Sequence, residues 1–324
     1  MLSYFYAGTR AKARTNTLLS TVGLERLLGA RDTEEQYRAL HDTFLAPYLS
    51  REESAHHASA VEASVDEAKK FLTAIAPEPE MLEILWAKYD FLNLQMIVKD
   101  RRNTHPENSA FGERLYRTGT IEPGTLIAVI ENDTLTRLPS HLKRACDAMQ
   151  QAKTPLDISL GAQAHYFSYL TKQVKKSSSP FLKRYQAFLI DGFNLKNALR
   201  LLILGNNRPT QDFFVSGGSI PKRLLETEES ILEAFTRMGN ISLWNKAVEE
   251  YRSTKNMIPI ERSFEDALME FLRKESFRTF SIAPLFLYFH VIKNNAQTIR
   301  GILDAKSAGM EEAELRLILR TLYV

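Results

Sequence analysis

Two pairs of polar residues have the types and the spacing that could support chemistry. Asp90 precedes Asn93 by three positions, and Asp191 precedes Asn194 by the same interval. Residues three apart share one face of an α-helix, so each pair would place a carboxylate beside an amide. A carboxylate positioned in this way can serve as a general acid or base. One hypothesis is therefore an all-helical enzyme that uses these aspartates, each assisted by its amide.

The second hypothesis for the pairs is structural, and the sequence favours it. Polar groups on a buried helix must find hydrogen-bond partners, and neighbouring backbone is a common one. An active site rarely needs two equivalent copies in one chain, whereas a repeated fold needs each tie once per repeat. We therefore interpret the pairs as part of a structural repeat motif and expect no catalytic residue. The motif consists of Asp90, Asn93, Leu94, Asp191, Asn194, Leu195, Thr298 and Ile299.

The helix that must position the first pair is predicted over residues 83–99, which contain no Gly or Pro. Its apolar residues Ala87, Phe91, Leu94 and Val98 follow the spacing of one helical stripe. The same stripe returns 101 positions later and again after a further 104, in Phe188, Gly192, Leu195 and Leu199 and then in Ile292, Ala296, Ile299 and Leu303. This period exceeds the 20–50 residues of ordinary solenoid repeats. It indicates three copies of a whole helical unit.

The rest of the chain is also predicted to be helical, which gives an all-α fold. Gly119-Thr-Ile-Glu-Pro matches Gly218-Ser-Ile-Pro one repeat later, and each is followed by a leucine-bearing segment. Residues 126–130 are β-branched enough to suit a strand. We predict a helix there because residues 223–229, their counterpart, have a helical pattern. The predicted repeats are 1–115 with the N-terminal helices, 116–217 and 218–324, within one continuous structural unit.

Composition excludes several classes of protein. The net charge of +3 over 324 residues does not indicate bulk nucleic-acid binding. A single cysteine, Cys146, excludes an intrachain disulfide, and with no secretion signal in the sequence we expect a reducing, cytosolic compartment. The most apolar stretch, residues 280–292, is too short to span a membrane and contains Pro284. Any work at a membrane is expected from the water side.

No motif in the sequence predicts a metal or a cofactor. The sequence lacks a phosphate-binding Gly-Lys-Ser/Thr loop, a His-Glu-x-x-His pair, a Cys-x-x-Cys pair and a calcium loop. The adjacent His56 and His57 would diverge by about 100° on a helix and are poorly placed to share a metal. Two basic clusters suit either a solvated helix face or contact with an acidic partner or anionic lipid head groups. They are Lys172, Lys175, Lys176, Lys183 and Arg184, and Arg10, Lys12 and Arg14.

Motifs along nearly the whole chain carry a family resemblance. They are Tyr6-Ala7-x-x-Arg10-x-x-Ala13, Leu18-Leu19-Ser20, Lys88-Tyr89-Asp90-Phe91-x-Asn93-Leu94, Asp191-x-x-Asn194-Leu195-Lys196, Arg300-Gly301-Ile302-Leu303-x-Ala305-Lys306-x-Ala308-Gly309 and Leu322-Tyr323-Val324. In their order and spacing the chain resembles the C subunit of the archaeal- and bacterial-type V-type ATPases, the relative of the eukaryotic d subunit. It departs from the family pattern at Asn295, where an acidic residue is usual, and at Thr298, where asparagine is usual.

The resemblance implies a funnel-shaped helical protein with three similar units about a pseudo-threefold axis. Such a subunit would be a peripheral socket on the cytoplasmic end of the membrane rotor ring and would hold the central stalk. Its partners would be central-stalk subunits and proteolipid ring subunits, with no nucleic acid and possible contact with lipid head groups. It would link ATP hydrolysis or synthesis to H⁺ or Na⁺ transport without catalysis or a cofactor of its own. The alternative is a helical scaffold that binds an unrelated protein.

Overall fold

The computed structural model describes residues 3–49, 57–102, 115–205 and 212–318, together with Gly112 and Pro209. Over these residues it is all-helical, as predicted, with no β-strand. The α-helices are α1 (Tyr4–Arg14), α2 (Thr21–Gly29), α3 (Thr33–Leu40), α4 (His57–Ile75), α5 (Glu83–Asp100), α6 (Pro123–Glu131), α7 (Ser140–Gln151), α8 (Pro155–Lys176), α9 (Pro180–Ile203), α10 (Glu228–Phe235), α11 (Ile241–Thr254), α12 (Ile258–Ser276), α13 (Ala283–Ser307) and α14 (Glu312–Ile318). Short 3₁₀ turns cover Thr15–Thr17, Ala46–Tyr48, Pro79–Leu82, Leu135–Arg137 and Lys222–Leu225.

Local sequence explains where many of these helices begin. The Ser3, Ser20 and Asp32 side chains each accept a hydrogen bond from a backbone N–H in the first turn of the following helix. Thr154 and Asp157 form a reciprocal capping box at the start of α8. Proline occupies the first position of several others, where its missing N–H leaves no intrahelical bond unmade. These prolines are Pro123, Pro155 and Pro180.

The chain divides into two compact units. Unit one comprises Met1–Pro79 and Met269–Val324, and unit two comprises Glu80–Leu268. The three-repeat boundaries given above stay a prediction. No helix of the described residues is both long and apolar enough to cross a bilayer.

Unit two is built on α5 and α9. Helix α5 packs against α7 and α8, and α9 packs against α8 and α10. The ring of Phe91 on α5 lies 5.9 Å from that of Tyr166 on α8, centroid to centroid. Phe235 and Trp244, both fully buried, stack with their centroids 4.8 Å apart. Aromatic burial of this kind is the main stabilising contribution to such a core.

Unit one is built on α13, which packs against α1 and α4. The guanidinium of Arg14 lies 3.8 Å from the centre of the Phe71 ring on α4. Arg316 of α14 forms a 2.5 Å ion pair with Glu25 of α2. The first and the last described helices therefore belong to the same compact unit.

The predicted repeating stripe is buried on all three long helices. Eleven of its twelve residues are buried, and Phe188 is half-buried. Residues 126–130 are helical, as predicted. The pattern of 223–229 was misleading, because a 3₁₀ turn ends at Leu225 and Thr227 caps a new helix. Side-chain capping at Thr227 satisfies the N–H of Ser230 and so favours a restart over a continuous helix.

The first helix ends at Arg14, and Gly23 lies inside α2. Two features named in the sequence, His56 and the motif at 322–324, lie outside the described residues.

Candidate functional site

The first polar pair ties α5 to the segment that leads into α6. The Asp90 carboxylate accepts hydrogen bonds from the Thr120 N–H at 3.0 Å, from the Thr120 hydroxyl at 2.5 Å and from the Ile121 N–H at 3.1 Å. Asn93 donates to the carbonyl of Tyr116 at 2.8 Å and accepts from its N–H at 2.9 Å. Asp90 and Asn93 are both 0% exposed, so neither is accessible to a substrate in solution.

The second pair repeats this geometry on α9. Asp191 accepts from the N–H groups of Ser219 and Ile220, each at 2.9 Å. Asn194 brackets Val215, donating to its carbonyl at 2.8 Å and accepting from its N–H at 2.9 Å. Burial raises the pKa of Asp191, while the two N–H donors lower it. We name each such set of contacts, in which side chains of a long helix hold a non-helical backbone segment, a polar lock.

Glycine is required beside each carboxylate. A Cβ atom on Gly119 would lie 2.3 Å from Oδ1 of Asp90, and one on Gly218 would lie 2.1 Å from Oδ1 of Asp191. The Gly-x-Ile match in the sequence therefore has a physical cause, since the backbone must approach the carboxylate more closely than a side chain permits.

The third polar lock, on α13, is completed from the start of the chain. Asn295 accepts a hydrogen bond at 3.0 Å from the N–H of Leu19, 276 positions away. Lys306, near the end of α13, donates at 2.8 Å to the carbonyl of Ala30, the residue that follows α2. In unit two, Arg101 makes the same kind of contact at 2.6 Å with the carbonyl of Ile130, near the end of α6. Helices α2 and α6 are both nine residues long, and each or the residue after it accepts a bond from a cation at the end of a long helix.

The third polar lock is incomplete. Among the described residues, the Nδ2 atom of Asn295 and the hydroxyl of Thr298 are buried without a hydrogen-bond partner. The positions that depart from the family pattern are thus the ones that make fewer bonds. The backbone that precedes Leu19 is helical, since α1 and its 3₁₀ turn run to Thr17.

This difference gives a testable contrast. Thr298→Val should leave the free energy of unfolding unchanged or raise it by up to about 1 kcal/mol, because it removes a buried, unpaired hydroxyl. Asn194→Leu should lower it by about 2 kcal/mol, because both backbone groups of Val215 lose their partner. Urea denaturation of the two variants measures the difference. Equal losses would contradict the assignment of Thr298 as an unsatisfied position.

The apolar motif residues lie in the core, and the basic clusters lie at the surface. Leu94, Leu195 and Ile299 are each 0% exposed and face the core. The lysines of the cluster at the α8–α9 turn are exposed, as are Arg10, Lys12 and Arg14 on α1.

His57 pairs with Asp304 at 2.6 Å. Burial raises the pKa of the Cys146 thiol to about 11. No group of acidic, histidine and cysteine side chains suited to a metal ion occurs in the described part of the chain.

One half-buried charge was not predicted. Lys196, a residue of the second motif, lies on the same face of α9 as Phe188 and Gly192, and this face packs against the ring of Phe264 on α12. The ammonium of Lys196 is 3.9 Å from the centre of that ring, and Phe188 stacks on it at 5.4 Å. Burial lowers the pKa of Lys196 to about 8, and the charge of Arg200 contributes further. Helical periodicity shows which residues share a face but not which partner covers it.

The depressed pKa of Lys196 predicts a pH-dependent stability. Below about pH 8 the lysine is charged in the folded and the unfolded chain, so the cost of burying the charge is fully present. Between pH 8 and the ordinary value of 10.5 the unfolded chain binds the extra proton, and stability should rise with pH. Lys196→Met should therefore be more stable than wild type at pH 7 by about 1 kcal/mol, after loss of the cation–π contact.

The difference in stability between Lys196→Met and wild type should decrease as the pH approaches 10. Lys183→Met, at an exposed position on the same helix, is the matched control and should show no such trend. Denaturant midpoints measured from pH 7 to pH 10 provide the comparison. A constant difference in stability between Lys196→Met and wild type over this range would contradict the lowered pKa of Lys196.

Comparison with known proteins identifies the family of this chain. Residues 7–317 match the family described as ATP synthase (C/AC39) subunit. The chain is also 26% identical over 149 residues to the C subunit of the A-type ATP synthase of Haloferax volcanii. That alignment covers 42% of this chain and 43% of the relative, so it spans less than half of the relative's length. The family match covers nearly the whole chain, and the chain therefore belongs to the ATP synthase (C/AC39) subunit family.

Proposed function

We propose that this chain is a non-catalytic rotor subunit, a socket that joins the central stalk of an ATP synthase or V-type ATPase to its membrane rotor ring. The observation that carries the proposal is the family match over residues 7–317. In this role the chain transmits rotation between the ATP-hydrolysing or ATP-synthesising sector and the H⁺- or Na⁺-translocating ring. Its place is on the cytoplasmic side, with central-stalk and proteolipid ring subunits as partners.

The packing of the long helices supports a mechanical role. Helices α5, α9 and α13 are 18, 24 and 25 residues long, and each buries the repeating apolar stripe. Close-packed interiors of this kind have low compressibility and transmit strain. The polar locks add bonds that fix the following backbone to the helix. A part that carries torque needs this resistance to deformation.

The polar locks also favour a structural role for the two Asp–Asn pairs over a catalytic one. Both carboxylates accept backbone N–H bonds, and both asparagines bracket one backbone residue on either side. We propose that the pairs hold the inter-helix segments in place. In this arrangement the three repeats of about one hundred residues form a pseudo-threefold collar around the stalk.

Purification from membranes tests the assembly role. A tagged chain, extracted in mild detergent, should bring with it the central-stalk subunits and the membrane ring subunits of one ATPase complex. The matched control is the same tagged chain with Asp90→Ala and Asp191→Ala, in which loss of two polar locks should reduce recovery of the partners. A solitary soluble complex with no ATPase subunit would contradict the proposal and favour the scaffold alternative.

A further inference from the structure

Unit one carries an exposed aromatic surface. Phe277 and Phe280, in the turn between α12 and α13, are 83% and 82% exposed, and Phe5 on α1 is 52% exposed. The rings of Phe5 and Phe280 stack with centroids 5.7 Å apart, and Tyr6, the residue after Phe5, is 47% exposed. We name Phe5, Tyr6, Phe277 and Phe280 the aromatic patch. Contiguous exposed apolar area of this kind marks an interaction site.

A groove adjoins the aromatic patch. It has a volume of about 430 Å³ and is lined by both Phe5 and Phe277. Its other apolar lining includes Pro284, Leu287 and Val291 of α13. Helix α1 approaches α13 closely here, because a Cβ on Gly8 would lie only 3.1 Å from that of Pro284. The patch therefore continues into an apolar cleft that could accept a hydrocarbon chain.

Most of the charged side chains around the aromatic patch are positive. Helix α1 carries Arg10, Lys12 and Arg14 and no acidic residue. Lys12 and Arg273 are exposed and line the groove. Lys274 and Arg278 follow Arg273 along the chain and add further cations.

Acidic residues offset part of this charge, and one of them, Glu67, acts on Tyr288 in the groove together with Arg14. Glu270 pairs with Lys274 at 2.7 Å, and Glu275 lies 3.8 Å from Arg278. The cations of α1 and of residues 273–278 outnumber these carboxylates, so the surface is positive on balance. It thus complements an anion while presenting phenyl rings to it.

We propose that the aromatic patch and its basic surround bind anionic phospholipid, with the rings at the head-group level and an acyl chain in the groove. Aromatic side chains prefer the membrane–water interface, and lysine and arginine are attracted to anionic head groups. An N-terminal helix with aromatic residues and several cations is typical of segments that lie on a bilayer without crossing it. Phe277 and Phe280 lie in a turn and are more than 80% exposed, so their rings can enter such an interface.

This inference does not depend on the proposed rotor role. Phospholipid binding needs only unit one and a bilayer surface, whereas the rotor role needs protein partners. Vesicles made from lipid alone therefore separate the two. An acidic or apolar protein partner at the same surface would give binding to a membrane protein complex and none to pure lipid.

Vesicle flotation tests the lipid contact with the full chain. Vesicles of phosphatidylcholine mixed with phosphatidylglycerol should carry the protein upward at low salt, and vesicles of phosphatidylcholine alone should carry much less. Phe277→Ser with Phe280→Ser should weaken the binding roughly tenfold. Lys12→Gln and Arg273→Gln should each weaken it roughly fivefold, and added salt should weaken it further.

The matched control removes exposed apolar side chains elsewhere. Ile241 and Ile258 in unit two are 59% and 54% exposed, so Ile241→Ser with Ile258→Ser should leave flotation unchanged. Thermal melts should show that both double variants remain folded. No flotation with the anionic vesicles would overturn the proposal, as would equal flotation of the Phe277/Phe280 variant. Binding to a purified membrane rotor ring but not to vesicles would also overturn it and assign the surface to protein.

Discussion

Asp90→Ala should lower the free energy of unfolding by about 3 kcal/mol, because two backbone N–H groups and one hydroxyl lose a shared buried acceptor. Asp191→Ala should cost about 2 kcal/mol, since its carboxylate accepts two N–H bonds. Asn295→Ala should cost about 1 kcal/mol, since its side chain accepts one. The expected order follows the number of hydrogen bonds that each of the three side chains accepts. Chemical denaturation of the purified chain measures all three.

The conservative variant Asp90→Asn separates the structural from the catalytic interpretation. It keeps the shape of the side chain and one acceptor oxygen, so its loss of stability should be smaller than that of Asp90→Ala. Tagged Asp90→Asn should still assemble with its partners if the fold survives. Loss of an enzymatic turnover in Asp90→Asn with unchanged stability would contradict the structural role of the polar locks.

Gly192→Ala should also lower the free energy of unfolding by about 3 kcal/mol. The added Cβ would lie 1.9 Å from Cε2 of Phe264, and 2.5 Å and 2.7 Å from two further ring atoms. Phe264 is 7% exposed and stacks on Phe188, so the ring cannot move aside without disturbing the buried core. Overpacking of a close-packed core typically costs 1–3 kcal/mol, and a contact this short lies at the upper end.

A glycine on the neighbouring helix provides the control. Gly161 lies in α8, and nothing lies within 4 Å of the position its Cβ would take. Gly161→Ala should therefore stabilise the chain by about 0.5–1 kcal/mol, as expected for glycine replaced within a helix. The double variant Gly192→Ala with Phe264→Ala should be less destabilised than the sum of its single changes. Strict additivity would mean that the ring and the glycine do not share the contact.

The sequence predicts the long helices well because their signal is local. The apolar stripe follows the helical period over Ala87, Phe91 and Leu94, and a second and third copy agree with it. The two Asp–Asn pairs could be singled out in the same way, since residues three apart share a face. The sequence also indicated part of the backbone that these pairs bind, because the repeated Gly-x-Ile pattern contains Ile121 and Ile220, whose N–H groups donate to the carboxylates.

Contacts between distant parts of the chain could not be predicted in this way. The bond from Leu19 to Asn295 joins residues 276 positions apart, and nothing local to either residue indicates the other. The departure of Asn295 and Thr298 from the family pattern pointed to the affected helix but not to the segment that covers it. The contact of Lys196 with the ring of Phe264 was missed for the same reason, since it depends on which helix packs against α9.

The most direct test of the proposed coupling role is ATP-driven ion uptake by membrane vesicles from cells that lack the chain. We expect the ATP-hydrolysing sector to appear in the soluble fraction and uptake to be lost, and we expect added wild-type chain to restore both attachment and uptake. Vesicles that retain the ATPase sector and pump ions at the normal rate without the chain would contradict the account.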